Sequence, residues 1–219
     1  GDASALSLWA RGLALKSPAT TFFNFTASHD GIGVRPLEGI LPPEAVDTTL
    51  ADAVRANGGQ ISYKNNPDGS QSPYELNITY VDAMRVPGRE DDPLHPARFL
   101  ASQSIQYALP GVPATYVHSL LGSRNWHAGL EQTGRARTIN REKLDAERLA
   151  AELRNPASLR SRVFGPYTRM IRTRTRQPAF HPNADFEILD LGPRVFGIKR
   201  WADAQTLWAV TNITPQQVG

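Results

Sequence analysis

Thr20-Thr21-Phe22-Phe23-Asn24-Phe25-Thr26-Ala27-Ser28-His29-Asp30-Gly31-Ile32-Gly33-Val34-Arg35-Pro36-Leu37 is the stretch on which the fold turns. Residues 20–27 are apolar and β-prone, so they read as a buried strand. His29 and Asp30 follow just past its end, ahead of two glycines that loosen the chain. In β/α barrels, chemistry is placed at that end of a strand. A carboxylate there, beside an imidazole and facing a glycine-opened loop, reads as an active-site residue. The plain alternatives are a turn aspartate before glycine for Asp30 and a hydrogen-bonded core imidazole for His29.

Working outward, residues 3–16 read as an amphipathic helix, with Asp2 or Ser4 as its cap. Residues 44–57 read as a second helix, entered through Pro42-Pro43 and ended by Gly58-Gly59. Residues 58–74 read as a long polar loop, functional or mobile at that length. Tyr74 to Met84 is apolar at mixed spacing, either extended or a short helix, and 85–94 is another loop. His95 to Ala108 reads as a helix stopped by Leu109-Pro110-Gly111-Val112-Pro113, and Ala114 to Leu121 as a second strand. Helices are expected over 145–154 and 156–176. Strand, helix, helix, strand is the grammar of an α/β layer structure. After Pro178 the spacing changes to three short strands, 186–191, 195–201 and 206–213. The pattern therefore divides into an α/β part over 1–177, with a loop region inserted at 58–94, and the start of an antiparallel β part over 178–219.

Composition narrows the function classes. The 219 residues carry no cysteine, which removes disulfides, thiol catalysis and thiolate metal sites. No apolar run approaches the roughly 18 residues of a membrane span, and no basic n-region followed by an apolar core opens the chain. The cytoplasm is the expected compartment, and no membrane partner is expected. The opening at Gly1, running almost at once into a helical pattern, and the close six residues after a strand read as a chain cut at both ends. The formal net charge of +3 hides an asymmetry: residues 1–95 hold 7 basic and 12 acidic side chains, the remainder 17 and 9. The basic excess lies between Arg135 and Arg176. Interleaved acids (Glu142, Asp145, Glu147, Glu152) read as a solvated helix face rather than a nucleic-acid surface.

With those residues in view, Ser28-His29-Asp30-Gly31-Ile32-Gly33 after one strand, and Leu109-Pro110-Gly111-Val112-Pro113-Ala114-Thr115-Tyr116 running into another, resemble the α-amylase superfamily. The nearest match is its sucrose-phosphorylase-like branch. Arg35-Pro36-Leu37-Glu38-Gly39-Ile40-Leu41 and Thr138-Ile139-Asn140-Arg141-Glu142-Lys143-Leu144 look more like the glucosylglycerate and sucrose-6-phosphate phosphorylases of that branch. The resemblance covers residues 1–176. It implies an α/β fold that is the C-terminal part of a TIM (β/α)8 barrel, about strands seven and eight, before an antiparallel β domain.

By that resemblance Asp30 matches the carboxylate that binds sugar hydroxyls and stabilises the oxocarbenium-like transition state, and His29 the neighbouring sugar-binding histidine. Tyr74, Glu75 and Asn77 match a mobile loop that shapes the acceptor and phosphate subsite. Arg141 matches the arginine of an Asn-Arg pair near it. The nucleophilic Asp and the acid/base Glu of the family would lie before Gly1, and neither motif occurs here. The implied activity is reversible phosphorolysis of an α-glucoside to glucose 1-phosphate. No cofactor and no metal are expected; a small sugar and inorganic phosphate are the expected partners. A phosphate anion among carboxylates needs cations, and Arg135, Arg137 and Arg141 can supply them. Arg141 could instead pair with Asp145 at i,i+4, and Glu75 could be a solvated loop residue. Other expectations are a hydrolase or transglucosidase of the same superfamily, or a non-catalytic piece with weak sugar binding. The chain alone is expected to be inactive.

Overall fold

The computed structural model describes residues 1–218. In chain order the elements are α1 (Ser4–Arg11), β1 (Phe23–Asn24), β2 (Ile32–Gly33), α2 (Ala51–Ala56), β3 (Gln60–Asn65), β4 (Gln71–Asn77), α3 (Tyr80–Ala83), α4 (His95–Ala108), β5 (Val112–Pro113), α5 (Val117–Leu120), α6 (His127–Thr133), α7 (Ala146–Arg154), α8 (Leu159–Thr175), β6 (Asp185–Ile188), β7 (Val195–Ala202) and β8 (Gln205–Asn212). They form a mixed α/β architecture with antiparallel sheets and one short parallel pair. Residues group into two compact units: 1–25, 97–114 and 166–219 in one, 26–96 and 115–165 in the other. No helix among the described residues is long and apolar enough to cross a membrane.

In the first unit, β6, β7 and β8 form an antiparallel sheet, with Ile198 opposite Ile188 on one side and Ala209 on the other. Phe196 and Ile198 join Ile188, Ala108, Leu109, Ala3 and Ala10 in one apolar core. Strand β8 alternates inward and outward along its length, as a strand with one wet face must. Arg200 of β7 is fully buried and donates to the carbonyls of Ala108 (2.9 Å) and His181 (2.9 Å). Burial, with Arg174 as a like-charged neighbour, pushes its pKa down to about 10. The parallel pair β1–β5 aligns Phe23 with Val112 and Asn24 with Pro113. Among the described residues neither strand has a second neighbour, and Phe23 (67% exposed) and Phe25 (58%) face solvent.

The second unit is built on the sheet β2–β4–β3, all antiparallel. Val34, Val54, Leu76 and Ile78 form its apolar core. A π-type turn, Ala45–Leu50, runs straight into α2, and together they fill the expected helix 44–57.

Four expectations from the sequence are corrected. Residues 58–74 are not a loop: they belong to the hairpin β3–β4, turned at Asn66 to Ser70, where Gly69 takes φ +84°. The Asn66 N–H closes the turn by donating to the Ser70 carbonyl at 2.8 Å. The expected strand 114–121 is instead the two-residue β5 followed by the helical turn α5. Its β-branched and apolar residues are overridden by side-chain ties, including His118 Nδ1 to Ser123 Oγ at 2.9 Å. The strand 20–27 keeps only Phe23 and Asn24 in a ladder, because β5 is the single partner it finds. Helix α1 also ends early, at Arg11 rather than residue 16, with Asp2 accepting from the Ser4 N–H at 2.8 Å.

Candidate functional site

The segment 28–31 reaches its geometry through glycine. Gly31 sits at φ +132°, and a Cβ there would lie 2.2 Å from the Leu76 carbonyl oxygen of β4. Only a residue without a side chain lets the chain pass so close to the hairpin. The Ser28 Oγ accepts from the Asp30 N–H at 3.2 Å, and Ser28 and Gly31 exchange backbone bonds of 3.0 and 3.2 Å. The Asp30 carbonyl accepts from Asn77 Nδ2 (3.1 Å) and Asn140 Nδ2 (3.4 Å), both buried amides. The backbone under Asp30 is thus tied to β4 and to the 3-10 turn Ala136–Asn140.

That turn delivers two arginines. Arg141 donates from Nη2 to Asp30 Oδ1 at 2.7 Å and from Nε to the His29 carbonyl at 3.0 Å. Arg141 therefore pairs with Asp30 rather than with Asp145, whose carboxylate caps α7 at the Arg148 N–H. Arg137 donates from Nε to Glu75 Oε1 (3.0 Å) and from Nη2 to Glu75 Oε2 (2.9 Å), a two-pronged pair. Its Nη1 lies 3.3 Å from Asp30 Oδ1. Glu75 raises the Arg137 pKa, first by hydrogen bonding and then by its charge. His29 is mostly exposed, with Nε2 at 3.3 Å from the same Asp30 oxygen.

All three nitrogens converge on Oδ1. Oδ2 accepts nothing among the described residues, and the Asp30 side chain is 29% exposed. One oxygen is gripped and the other stands open.

The remaining residues sort plainly. Glu75 is not a solvated loop residue: its side chain is 6% exposed, and Oε1 also accepts from Asn77 Nδ2 at 2.5 Å. Asn77 is fully buried, with Oδ1 accepting from Ser62 Oγ at 2.7 Å, so it faces the scaffold. Tyr74, on the same strand, is partly exposed. Arg135 is exposed and its guanidinium bonds nothing among the described residues. Sequence reasoning missed Ser62 and Tyr116. The Tyr116 hydroxyl donates to the Asn140 carbonyl at 2.6 Å, steadying the turn that carries both arginines. Burial pushes the Tyr116 phenol above its ordinary value. An apolar strand-like run gave Tyr116 no mark, and a serine in a polar stretch gave Ser62 none.

No protein-family model matches the sequence. The glucosylglycerate phosphorylase of Spirochaeta thermophila is 48% identical over 199 residues, 91% of this chain and 33% of that protein. That of Allomeiothermus silvanus is 44% identical over 221 residues, all of this chain and 39% of that protein. The chain is a homologue of the glucosylglycerate phosphorylases. The resemblance read from His29-Asp30-Gly31-Ile32-Gly33 and from Pro110-Gly111-Val112-Pro113 stands. The crystal structure of sucrose 6F-phosphate phosphorylase from Thermoanaerobacter thermosaccharolyticum shares the fold over 97% of this chain and 40% of its own. Its TM-score is 0.78 at 22% identity. Beside these phosphorylases the chain spans between a third and two fifths of their length.

Proposed function

We propose that the chain is part of a retaining glycoside phosphorylase that splits an α-glucoside of the glucosylglycerate type with inorganic phosphate, giving glucose 1-phosphate. In this reading residues 1–177 supply about strands seven and eight of a (β/α)8 barrel, and residues 178–219 open the antiparallel domain that follows. The observation that carries it is the Asp30 carboxylate, locked through Oδ1 with Oδ2 open, in a chain 48% identical to a glucosylglycerate phosphorylase.

Retaining glycosyl transfer needs two further carboxyl groups about 5–5.5 Å apart, which we assign to polypeptide outside this chain. One attacks the anomeric carbon as the glycosidic bond breaks, and the other protonates the departing acceptor oxygen. A phosphate oxygen then attacks the same carbon, its proton returns to the second carboxyl group, and the first carboxylate is released. Asp30 Oδ2 binds sugar hydroxyls and faces the positive charge that grows on the ring, where a fixed carboxylate is most effective. His29 borders the same sugar. Arg141 and Arg137 offset the charge of phosphate or of an anionic acceptor, and Asn77 holds Asp30 and Glu75 in register. Alone, the 219 residues are expected to turn nothing over.

The test uses the longer polypeptide that contains this chain. It should consume glucosylglycerate only when phosphate is present and release glucose 1-phosphate. Release of free glucose without phosphate would replace this reading with a hydrolase.

A further inference from the structure

The two arginines and two carboxylates of the site cancel in charge, and they are not equivalent. Asp30 and Arg141 lie toward solvent; Glu75 is buried beneath Arg137. Glu75 has no route to a ligand, because its oxygens are taken by Asn77 Nδ2 and by the Nε and Nη2 of Arg137. Arg137 has spent its planar fork on Glu75. It presents only Nη1 toward Asp30, although its side chain is 43% exposed. An arginine with a free fork is a two-pronged receptor for carboxylate or phosphate; one whose fork is filled is a single donor with its charge already balanced.

We propose that Glu75 is a specificity-determining residue that acts through Arg137. It holds one edge of the guanidinium and neutralises it, and so limits how strongly the site prefers an anionic ligand over a neutral sugar. This rests on the phosphorylase reading of the site, but its test needs no turnover. Glu75→Gln keeps the shape of the side chain, removes one negative charge, and turns an amide N–H₂ toward a guanidinium nitrogen that donates. The charge change and the loosened fork act in the same direction, so Arg137 becomes available to an outside anion.

The experiment is a calorimetric binding titration of the longer polypeptide that contains this chain with inorganic phosphate, with glycerate and with glucose. Glu75→Gln should tighten both anions on the order of tenfold at low salt, fading as salt screens the pair. Glucose binding should move less than about twofold. In an Arg137→Gln background the same change should give no gain. Glu75→Asp, which retracts the carboxylate by one methylene, should fall between and serves if the glutamine variant does not fold. The proposal is overturned if anion binding weakens or stays level, if glucose shifts as much as the anions, or if the gain survives without Arg137. None of these outcomes bears on phosphate-dependent turnover, which tests the site reading separately.

Discussion

Hairpins β3–β4 and β7–β8 are built from strands of similar length and bury very different things. Strand β7 buries Val195 and puts Phe196 and Ile198 into an apolar core. Strand β4 ends in Glu75-Leu76-Asn77, all buried, so two of its three innermost side chains are polar. Each hairpin also holds an arginine, Arg137 lying against β4 and Arg200 within β7. Arg137 meets carboxylates and keeps an exposed edge. Arg200 donates to backbone carbonyls and lies over the Phe180 ring, and its pKa falls. A polar group is tolerated in either place once most of its bonds are made, although Arg200 Nε is buried without one. Where the bonds run to charged partners beside an open surface, the result is a face that can meet a ligand. Where they run to backbone, the result is a strut.

The sharpest way to break this contrast is at the two carboxylates. If the proposed phosphorolysis holds, Asp30→Asn in the longer polypeptide that contains this chain should lower its kcat/KM about 10³-fold, the scale of losing a preset charge at the reacting centre. Glu187→Gln, on the exposed face opposite Lys199 in β6–β7, should change it less than about twofold. Equal losses would show that the first hairpin is scaffold as well. The glycines come next. Gly31→Ala forces a Cβ into the Leu76 carbonyl at a positive φ and should cost about 3 kcal/mol in urea unfolding. Gly197→Ala meets the tip of the half-exposed Leu191 side chain at 2.5 Å; that tip can swing aside, so about 1 kcal/mol is expected.

The smallest effect is acid sensitivity. Burial lowers the pKa of His95 and His118, both in the unit that carries the first hairpin. Arg160 donates to Ser123 Oγ at 2.8 Å, which leaves the Ser123 hydroxyl proton free to meet an unprotonated His118 Nδ1 at 2.9 Å. The unfolded chain takes up these protons near the ordinary histidine value of 6.5 and the folded chain only at lower pH. Stability is therefore fully present above that value and is lost as pH falls below it. The thermal midpoint should drop between pH 7 and 5, and His118→Asn should flatten that drop. An unchanged slope would remove the tie to Ser123 from the account.

The difference between the hairpins also marks what the sequence disclosed. The strands of β6–β8 and the helices α4, α7 and α8 were legible, because their apolar spacing was driven by neighbours a few residues away. The β3–β4 hairpin read as a loop because residues 58–74 bury almost nothing apolar and are mostly polar. Asn66-Pro67-Asp68-Gly69-Ser70 is a turn signature, and Ile61 and Tyr63 alternate before it, so a signal was present. Asp30 was legible from its motif. Its grip was not: Arg141 lies 111 residues away and Arg137 lies 62 from Glu75, and no local pattern records such a pairing. Asn77 and Glu75 were identified as site residues, yet their burial depends on partners that the local text does not show.

The ribbon of β1 and β5, two residues deep, has practical weight for anyone handling these 219 residues by themselves. Among the described residues the outer edge of β1 has no strand partner, and it lies beside the exposed Phe23 and Phe25, a combination that recruits further strands from solution. Poor solubility, worsening with concentration and with precipitating salts, is to be expected of such a preparation. Aspartate or lysine in place of the two phenylalanines should relieve it.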